Sequence, residues 1–292
     1  MLTFGFEMSQ PIRRAAVAGS WYPGQAATLA LEVDQYLEGV CAPEDWDIVG
    51  LVAPHAGLTY SGPVAAHAYK AVAGRAYDVA VIVGPSHYVG FEGVAIERRG
   101  AFATPLGCVP VSEPDAAAIA AAAPIFVDLP AAHAREHSLE MQLPFLQRAL
   151  PYTPIVPLVM GHQTHATITG LAKALVVALR DRRALLIASS DLSHFQDAKR
   201  AARLDSLVID AINNFDPETL GRALTKFPDH ACGGGPIVSI LLAARGFGAA
   251  DARVVKYGDS GDVSGDKQSV VGYAAAVLGT HTASRHDAWA SP

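Results

Sequence analysis

Short runs rich in Val, Ile and Leu alternate along this chain with alanine-rich stretches of helical length, and that alternation restricts the fold more than any other feature. A strand covered on both faces reads as an unbroken apolar run, and parallel strands need long crossovers. The pattern therefore predicts an α/β protein: a three-layer αβα sandwich around a central sheet, mostly parallel or mixed. Strands are expected over 48–53, 79–83, 94–97, 155–159, 185–189, 253–257 and 270–278. Helical periodicity places helices over 62–72, 113–122, 137–150, 165–182, 197–213, 217–226 and 236–245. With 292 residues, 51% of them hydrophobic, the chain can bury a large core. No linker or repeat interrupts 13–279, which reads as one domain, with 1–12 as an extension and 280–292 as a disordered tail.

Charge and composition remove several functional classes. The formal net charge is -6 and the arginines cluster only as pairs, Arg13-Arg14, Arg98-Arg99 and Arg182-Arg183, so no footprint for nucleic acid is present. Apolar segments stop well short of the roughly 20 residues needed to span a bilayer, and the first ten residues lack a basic leader, so no membrane association is expected and a cytoplasmic location is. Three cysteines, Cys41, Cys108 and Cys232, do not suggest a disulfide framework; Cys41 and Cys108 read as small buried hydrophobes.

Chemistry concentrates where apolar runs end. His55 and His87 each follow a predicted strand, and open α/β sheets place their ligand sites outside the carboxyl ends of strands. A third strand runs into Ser190-Asp191-Leu192-Ser193-His194, which brings an acid and an imidazole to the same edge. Cys232 precedes a predicted helix, whose backbone N–H groups and dipole favour a thiolate, and the glycines 233–235 are expected to give the turn backbone freedom. Two imidazoles and a thiolate suit Fe(II), Zn(II) or copper and leave positions for water or substrate. His194 would then act as acid or base, with Asp191 orienting it or receiving its proton.

Two motifs compete with this reading. His133-Ala-Arg-Glu136-His137 matches the inverted zinc-protease signature, which requires all three residues on one helix. The 129–132 segment before it reads as a loop, so Glu136, His137 and Glu140 are expected instead at a helix start facing the cleft. The acidic run 258–267 lacks the spacing and downstream Glu of an EF-hand and reads as a loop. Trp21, Tyr22 and Tyr60 are aromatic candidates for the cleft wall.

Six segments, in order, resemble the Memo family, known in prokaryotes as AmmeMemoRadiSam system protein B: Ala18-Gly-Ser-Trp-Tyr-Pro23, Ala53-Pro-His-Ala-Gly57 with Tyr60-Ser-Gly62, Gly84-Pro-Ser-His87, Glu136-His-Ser-Leu-Glu-Met-Gln-Leu-Pro144, Ser189-Ser-Asp-Leu-Ser-His194, and Cys232-Gly with Pro236-Ile237. The resemblance implies a fold like that of class III extradiol ring-cleaving dioxygenases. It also implies a metal trio of His55, His87 and Cys232, with Asp191 and His194 in the same pocket. Those dioxygenases hold Fe(II) with two His and one carboxylate, and here a cysteine takes the carboxylate's place. Two functions remain open. One is a metal-dependent oxidoreductase, iron being the leading metal with copper or zinc as alternatives. The other is a metal-carrying protein, or one that binds a small molecule or peptide, and works with a radical SAM protein and an AMMECR-type protein.

Overall fold

The longest apolar runs become the middle of one large sheet. A computed structural model describes residues 11–43 and 45–281. In chain order the elements are β1 (Ile12–Arg13), α1 (Ala26–Glu38), β2 (Trp46–Ala53), α2 (Leu58–Val72), β3 (Val79–Pro85), β4 (Val94–Ile96), β5 (Ala101–Thr104), β6 (Gly107–Pro110), α3 (Glu113–Ala122), β7 (Phe126–Val127) and α4 (Pro130–Ala134). After a 3₁₀ turn at Glu140–Gln142 come α5 (Leu143–Ala149), β8 (Ile155–Met160), α6 (His165–Leu179), β9 (Ala184–Ser189), β10 (His194–Gln196), α7 (Ala198–Asn213) and α8 (Pro217–Lys226). A second 3₁₀ turn at Pro228–His230 leads to α9 (Gly234–Gly246), β11 (Asp251–Asp259), α10 (Gly261–Ser264) and β12 (Val270–His281).

Strands run in the order β10-β12-β2-β9-β3-β8-β4-β7, with β11 also paired to β12. The centre, β2-β9-β3-β8, is parallel, and β12 and β4 join it antiparallel, so the sheet is mixed. Every residue of β3, β8 and β9 is buried, which is why these strands carry no polar alternation. Helices α1, α2 and α5 pack together, with α2 against β2 and β12; α3, α6, α8 and α9 form another group, with α9 against β9, β2 and β3. This is the expected α/β sandwich. Its consequence for function lies in the register: Ala53 pairs with Ser189 and Val83 with Ala188, so the segments leaving β2, β9 and β3 emerge side by side.

Several local features differ from expectation. The helix expected over 137–150 begins only at Leu143, because Pro144 has no N–H to bond the Glu140 carbonyl and fits the first turn of a helix. Helix α1, not expected, buries one apolar residue per turn, Leu29, Val33 and Leu37, among polar neighbours. Strand β1 joins β5 and β6 in a small separate sheet. Cys41 and Cys108 are exposed, since one lies in the link between α1 and β2 and the other on this small sheet. In the acidic run, Lys267 Nζ pairs with Asp259 at 2.7 Å and Asp262 at 2.6 Å, offsetting part of its charge from within. Thr280 and His281 close β12, and the rest of the expected tail lies outside the described residues. Among the described residues, no helix is long and apolar enough to cross a membrane.

Candidate metal centre

His55, two residues beyond β2, His87, two beyond β3, and Cys232, two before α9, bring ligand-type atoms within 4.8 Å of one another. The two rings stand edge to face, their centroids 5.2 Å apart. Their tautomers follow from their partners. Ser189 Oγ gives its one proton to the Ser138 carbonyl at 2.6 Å and accepts from Gln142 Nε2 at 2.7 Å. It can therefore only accept from His55 Nδ1 at 2.9 Å, which fixes the proton there and leaves the Nε2 lone pair free. His87 Nδ1 faces Glu136 Oε1 at 2.8 Å, a carboxylate that can only accept, so its Nε2 is free as well.

Cys232 Sγ lies 3.2 Å from His55 Nε2. Burial, and then the charge of Asp191, push the thiol's pKa well up, so the helix start does not make it a free thiolate: removal from water outweighs the dipole. Burial and the neighbouring His87 push His55 down to about 3. A neutral imidazole and a protonated thiol thus share one proton along S–H to Nε2, and a metal ion would take that proton's place.

Asp191 ties the strand ends together. Its Oδ1 accepts the N–H groups of His55 at 2.7 Å and Ala56 at 3.2 Å, while its own N–H points at Cys232 Sγ, 3.3 Å away. Burial raises its pKa against the pull of these donors. His194 Nδ1 is 2.8 Å from the Leu192 carbonyl, which fixes a third Nδ1–H tautomer, and its ring lies near enough to couple electrostatically to both His55 and Asp191. Around the rim, the His137 ring stacks on His87 at 4.4 Å and touches Trp21 at 4.3 Å, and the Tyr88 hydroxyl is 3.2 Å from His137 Nδ1.

A second group, His87, Glu136 and His137, also lies within 4.8 Å. There the carboxylate is already occupied by His87 N at 2.7 Å, His87 Nδ1 and Ser138 N at 2.9 Å. Burial alone would raise the Glu136 pKa, but the side-chain and backbone hydrogen bonds from His87, with that from Ser138 N, hold it down to about 2. This group therefore orients His87, in the way carboxylates behind metal-ligating imidazoles do.

The remaining candidates go elsewhere. Glu140 is fully buried under the 13–22 segment: its carboxylate pairs with Arg13 and accepts from Ala16 N, Val17 N and the Tyr22 hydroxyl, the last at 2.6 Å. Tyr22 and Glu140 thus anchor the strap that carries Trp21 and leave the cleft wall to Trp21. Tyr60 is exposed in the first turn of α2. His133 lies in α4, which ends at Ala134, so His133, Glu136 and His137 share no helix and the protease motif has no zinc site. The glycines after Cys232 serve tight packing rather than loose turns. A Cβ on Gly233 would sit 2.4 Å from the Ser189 carbonyl oxygen, and one on Gly235 2.7 Å from Met160 Sδ.

Comparison with known proteins places this geometry. The pattern of Memo-like proteins matches residues 13–277. The chain belongs to the Memo-like protein family. A MEMO1 family protein of Methanosarcina mazei is 39% identical over 93% of this chain and 99% of its own length. One from Thermotoga sp. strain RQ2 is 37% identical over 91% of this chain and 99% of its own. The crystal structure of an uncharacterized Escherichia coli K12 protein shares the fold, with a TM-score of 0.52 and 17% identity, covering 78% of this chain and 99% of that one.

In this Memo-like protein, sequence reasoning missed the groups behind the imidazoles. Ser189 and Gln142 set the His55 tautomer, and Gln142 Nε2 also holds the Pro54 carbonyl at 3.0 Å. Their signal was available as polar residues inside otherwise apolar stretches, one at the end of β9 and one just before α5. Gln163 is the third: its Nε2 holds the Cys232 carbonyl at 2.7 Å and its Oε1 accepts Gly235 N at 2.6 Å.

Proposed function

We propose that this Memo-like protein binds a divalent transition metal, iron foremost, through His55, His87 and Cys232, and uses it for redox chemistry of the extradiol-dioxygenase kind on a small hydroxylated aromatic molecule. One observation carries the reading. Two imidazoles, each locked as the Nδ1–H tautomer by a dedicated partner, leave Nε2 lone pairs beside a single thiol. Nothing in core packing requires both locks, whereas a metal ligand needs them. The donor set, two borderline nitrogens and one soft sulfur, fits iron, copper or zinc and leaves coordination positions open.

A bound ion would supply Lewis acidity and electron exchange with dioxygen. The protein's share is positioning and proton handling. His194, its Nδ1–H held by Leu192, presents Nε2 as a base for a substrate hydroxyl. The buried Asp191 carboxylate stabilises the imidazolium that results, and its N–H donates to the Cys232 sulfur as the thiol proton leaves. Trp21, His137 and Tyr88 form a wall against which a flat ring can stack.

The test is elemental analysis after anaerobic purification, with oxygen uptake on catechol. Wild type should hold about one ion per chain, and His55→Ala, His87→Ala and Cys232→Ala should each weaken binding on the order of a hundredfold or more. His194→Ala should keep the metal and lose oxygen uptake. Full metal content in all three ligand variants would sink the proposal. The sulfur ligand favours a second reading, a metal-carrying component of an assembly with a radical SAM protein and an AMMECR-type protein, since a thiolate beside dioxygen is itself oxidisable. Metal retention without oxygen uptake, and copurification with those proteins, would select it.

A further inference from the structure

Helix α7 packs against β11 and β12 through a stripe in which Ala201, Val208, Ala211 and Ile212 are the expected apolar residues and Asp205, fully buried among them, is not. A carboxylate in such a place is costly unless its oxygens are paired. Oδ1 accepts the Ser193 N–H at 2.9 Å and Oδ2 the Tyr257 hydroxyl at 2.8 Å. Burial pushes the pKa of Asp205 up, while the donors on Ser193 and Tyr257 and the nearby His230 pull it back. Burial and the Asp205 charge raise that of Tyr257, so its hydroxyl stays a donor. Gly272 of β12 makes the room, since a Cβ there would collide with the Asp205 carboxylate. The chemistry assigned to the metal centre makes no use of this group.

Its bond to Ser193 closes a series. Between β9 and β10 each backbone N–H has a partner on a different segment: Ser190 N on the Ala53 carbonyl at 3.0 Å, Asp191 N on Cys232 Sγ at 3.3 Å, Leu192 N on the Gly272 carbonyl at 2.8 Å, and Ser193 N on Asp205. The Ser193 N–H and the Leu192 carbonyl are the two ends of one planar peptide unit. That carbonyl is the acceptor 2.8 Å from His194 Nδ1. Carboxylate, peptide and imidazole therefore form one continuous line of hydrogen bonds. Fixing the N–H end fixes the direction of the carbonyl end, and a carboxylate at the first polarises the peptide and strengthens the second as an acceptor.

We propose that Asp205 is a positioning residue for His194, acting through the 192–193 peptide: it holds the ring as the Nδ1–H tautomer and so keeps Nε2 free to take a proton in the cup. Without it the Ser193 N–H would lie buried with no acceptor, and the peptide would turn to find one, drawing the Leu192 carbonyl away from His194. The consequence for activity rests on the base role given to His194 above, whereas the consequence for the tautomer does not.

Nitrogen chemical shifts of the His194 ring in the metal-free full chain test this first. Wild type should show a single Nδ1–H tautomer and Asp205→Ala a mixture with the Nε2–H form. Asp205→Asn should return to the wild-type state, because an amide accepts from Ser193 through its oxygen and donates to the Tyr257 hydroxyl through its nitrogen. Val208→Ala, which loosens the same stripe without touching Ser193, should leave the tautomer unchanged. With iron bound and catechol as substrate, Asp205→Ala should lower kcat for oxygen uptake by about ten- to hundredfold, part of what a general base supplies, at unchanged KM and metal content. Asp205→Asn should recover most of that loss and Val208→Ala should show none. A single Nδ1–H tautomer in Asp205→Ala, or an equal mixture in Val208→Ala, overturns the proposal. Absence of oxygen uptake in wild type counts against the redox reading alone, and the ring shifts still decide this one. Should Asp205→Ala fail to fold, Gly272→Ala displaces the carboxylate from the other side, and a single Nδ1–H tautomer there overturns the proposal equally.

Discussion

His55 and Ser189 stand at the ends of buried parallel strands, whereas the opposite wall of the cup, Trp21 and His137, rides on irregular chain held down at Glu140. The first wall is positioned by backbone ladders running through β2, β9 and β3, so no single side chain carries it. The second is positioned by one carboxylate that gathers Arg13, two backbone N–H groups and the Tyr22 hydroxyl, all out of water. One wall is therefore robust to point substitution and the other is not. Glu140→Ala should expose the difference most strongly: it leaves the Arg13 cation buried without its partner, a loss of about 3–5 kcal/mol in chemical denaturation. A loss below 1 kcal/mol would show that the strap is held by packing instead.

The second comparison is between the two imidazoles. A neutral hydroxyl orients His55 and a carboxylate orients His87, so only His87 should respond to acid through its support. Glu136→Gln keeps the shape but places a donor against the donors of His87 and Ser138, and a tenfold to hundredfold loss of metal affinity is expected. Stability gives an independent reading. The Glu136 carboxyl is held down to about 2 in the fold against an ordinary 4.5, so its contribution is complete above pH 4.5 and is lost as pH falls toward 2. Wild type should lose about 3 kcal/mol over that interval relative to Glu136→Gln. Parallel pH profiles for the two proteins would rule the support out.

This contrast also explains what the sequence could reveal. Strand-end residues were legible because an apolar run of set length, followed by Pro-His or Pro-Ser-His, fixes both the strand and the side of the sheet on which its end emerges. The sandwich and the placement of His55, His87 and Asp191 follow from that rule and from the right-handed crossovers of parallel strands, whereas Cys232 was legible from the helix start that follows it. Glu140 read as a cleft residue because its spacing from Glu136 suggested one helical face. Pro144 shortened that helix, and the carboxylate turned to Arg13, 127 residues away in sequence. A pairing at such separation leaves no periodic trace. The same blindness hid the packing role of the glycines after Cys232, since nothing local announces that the Ser189 carbonyl lies against Gly233.

The smallest effect, and the sharpest for the strand-end wall, concerns Ser189. Its hydroxyl accepts from His55 Nδ1 and Gln142 Nε2 while donating to the Ser138 carbonyl, so Ser189→Ala removes the acceptor that holds the His55 proton at Nδ1 and leaves only the Cys232 thiol at Nε2 to bias the tautomer. The strands would hold the ring in place, but the proton would no longer be tied to Nδ1, and rings carrying it on Nε2 would present an N–H to the metal. Affinity should fall by about tenfold at most, within the range for supporting groups behind ligands, and stability by about 1–2 kcal/mol for the acceptor lost. Nitrogen chemical shifts of the His55 ring in the metal-free protein decide it: a single Nδ1–H tautomer in wild type and a mixture in Ser189→Ala. If the variant keeps one tautomer, the backbone rather than the hydroxyl sets the proton, and the division of labour between the two walls would be more complete than the hydrogen bonds imply.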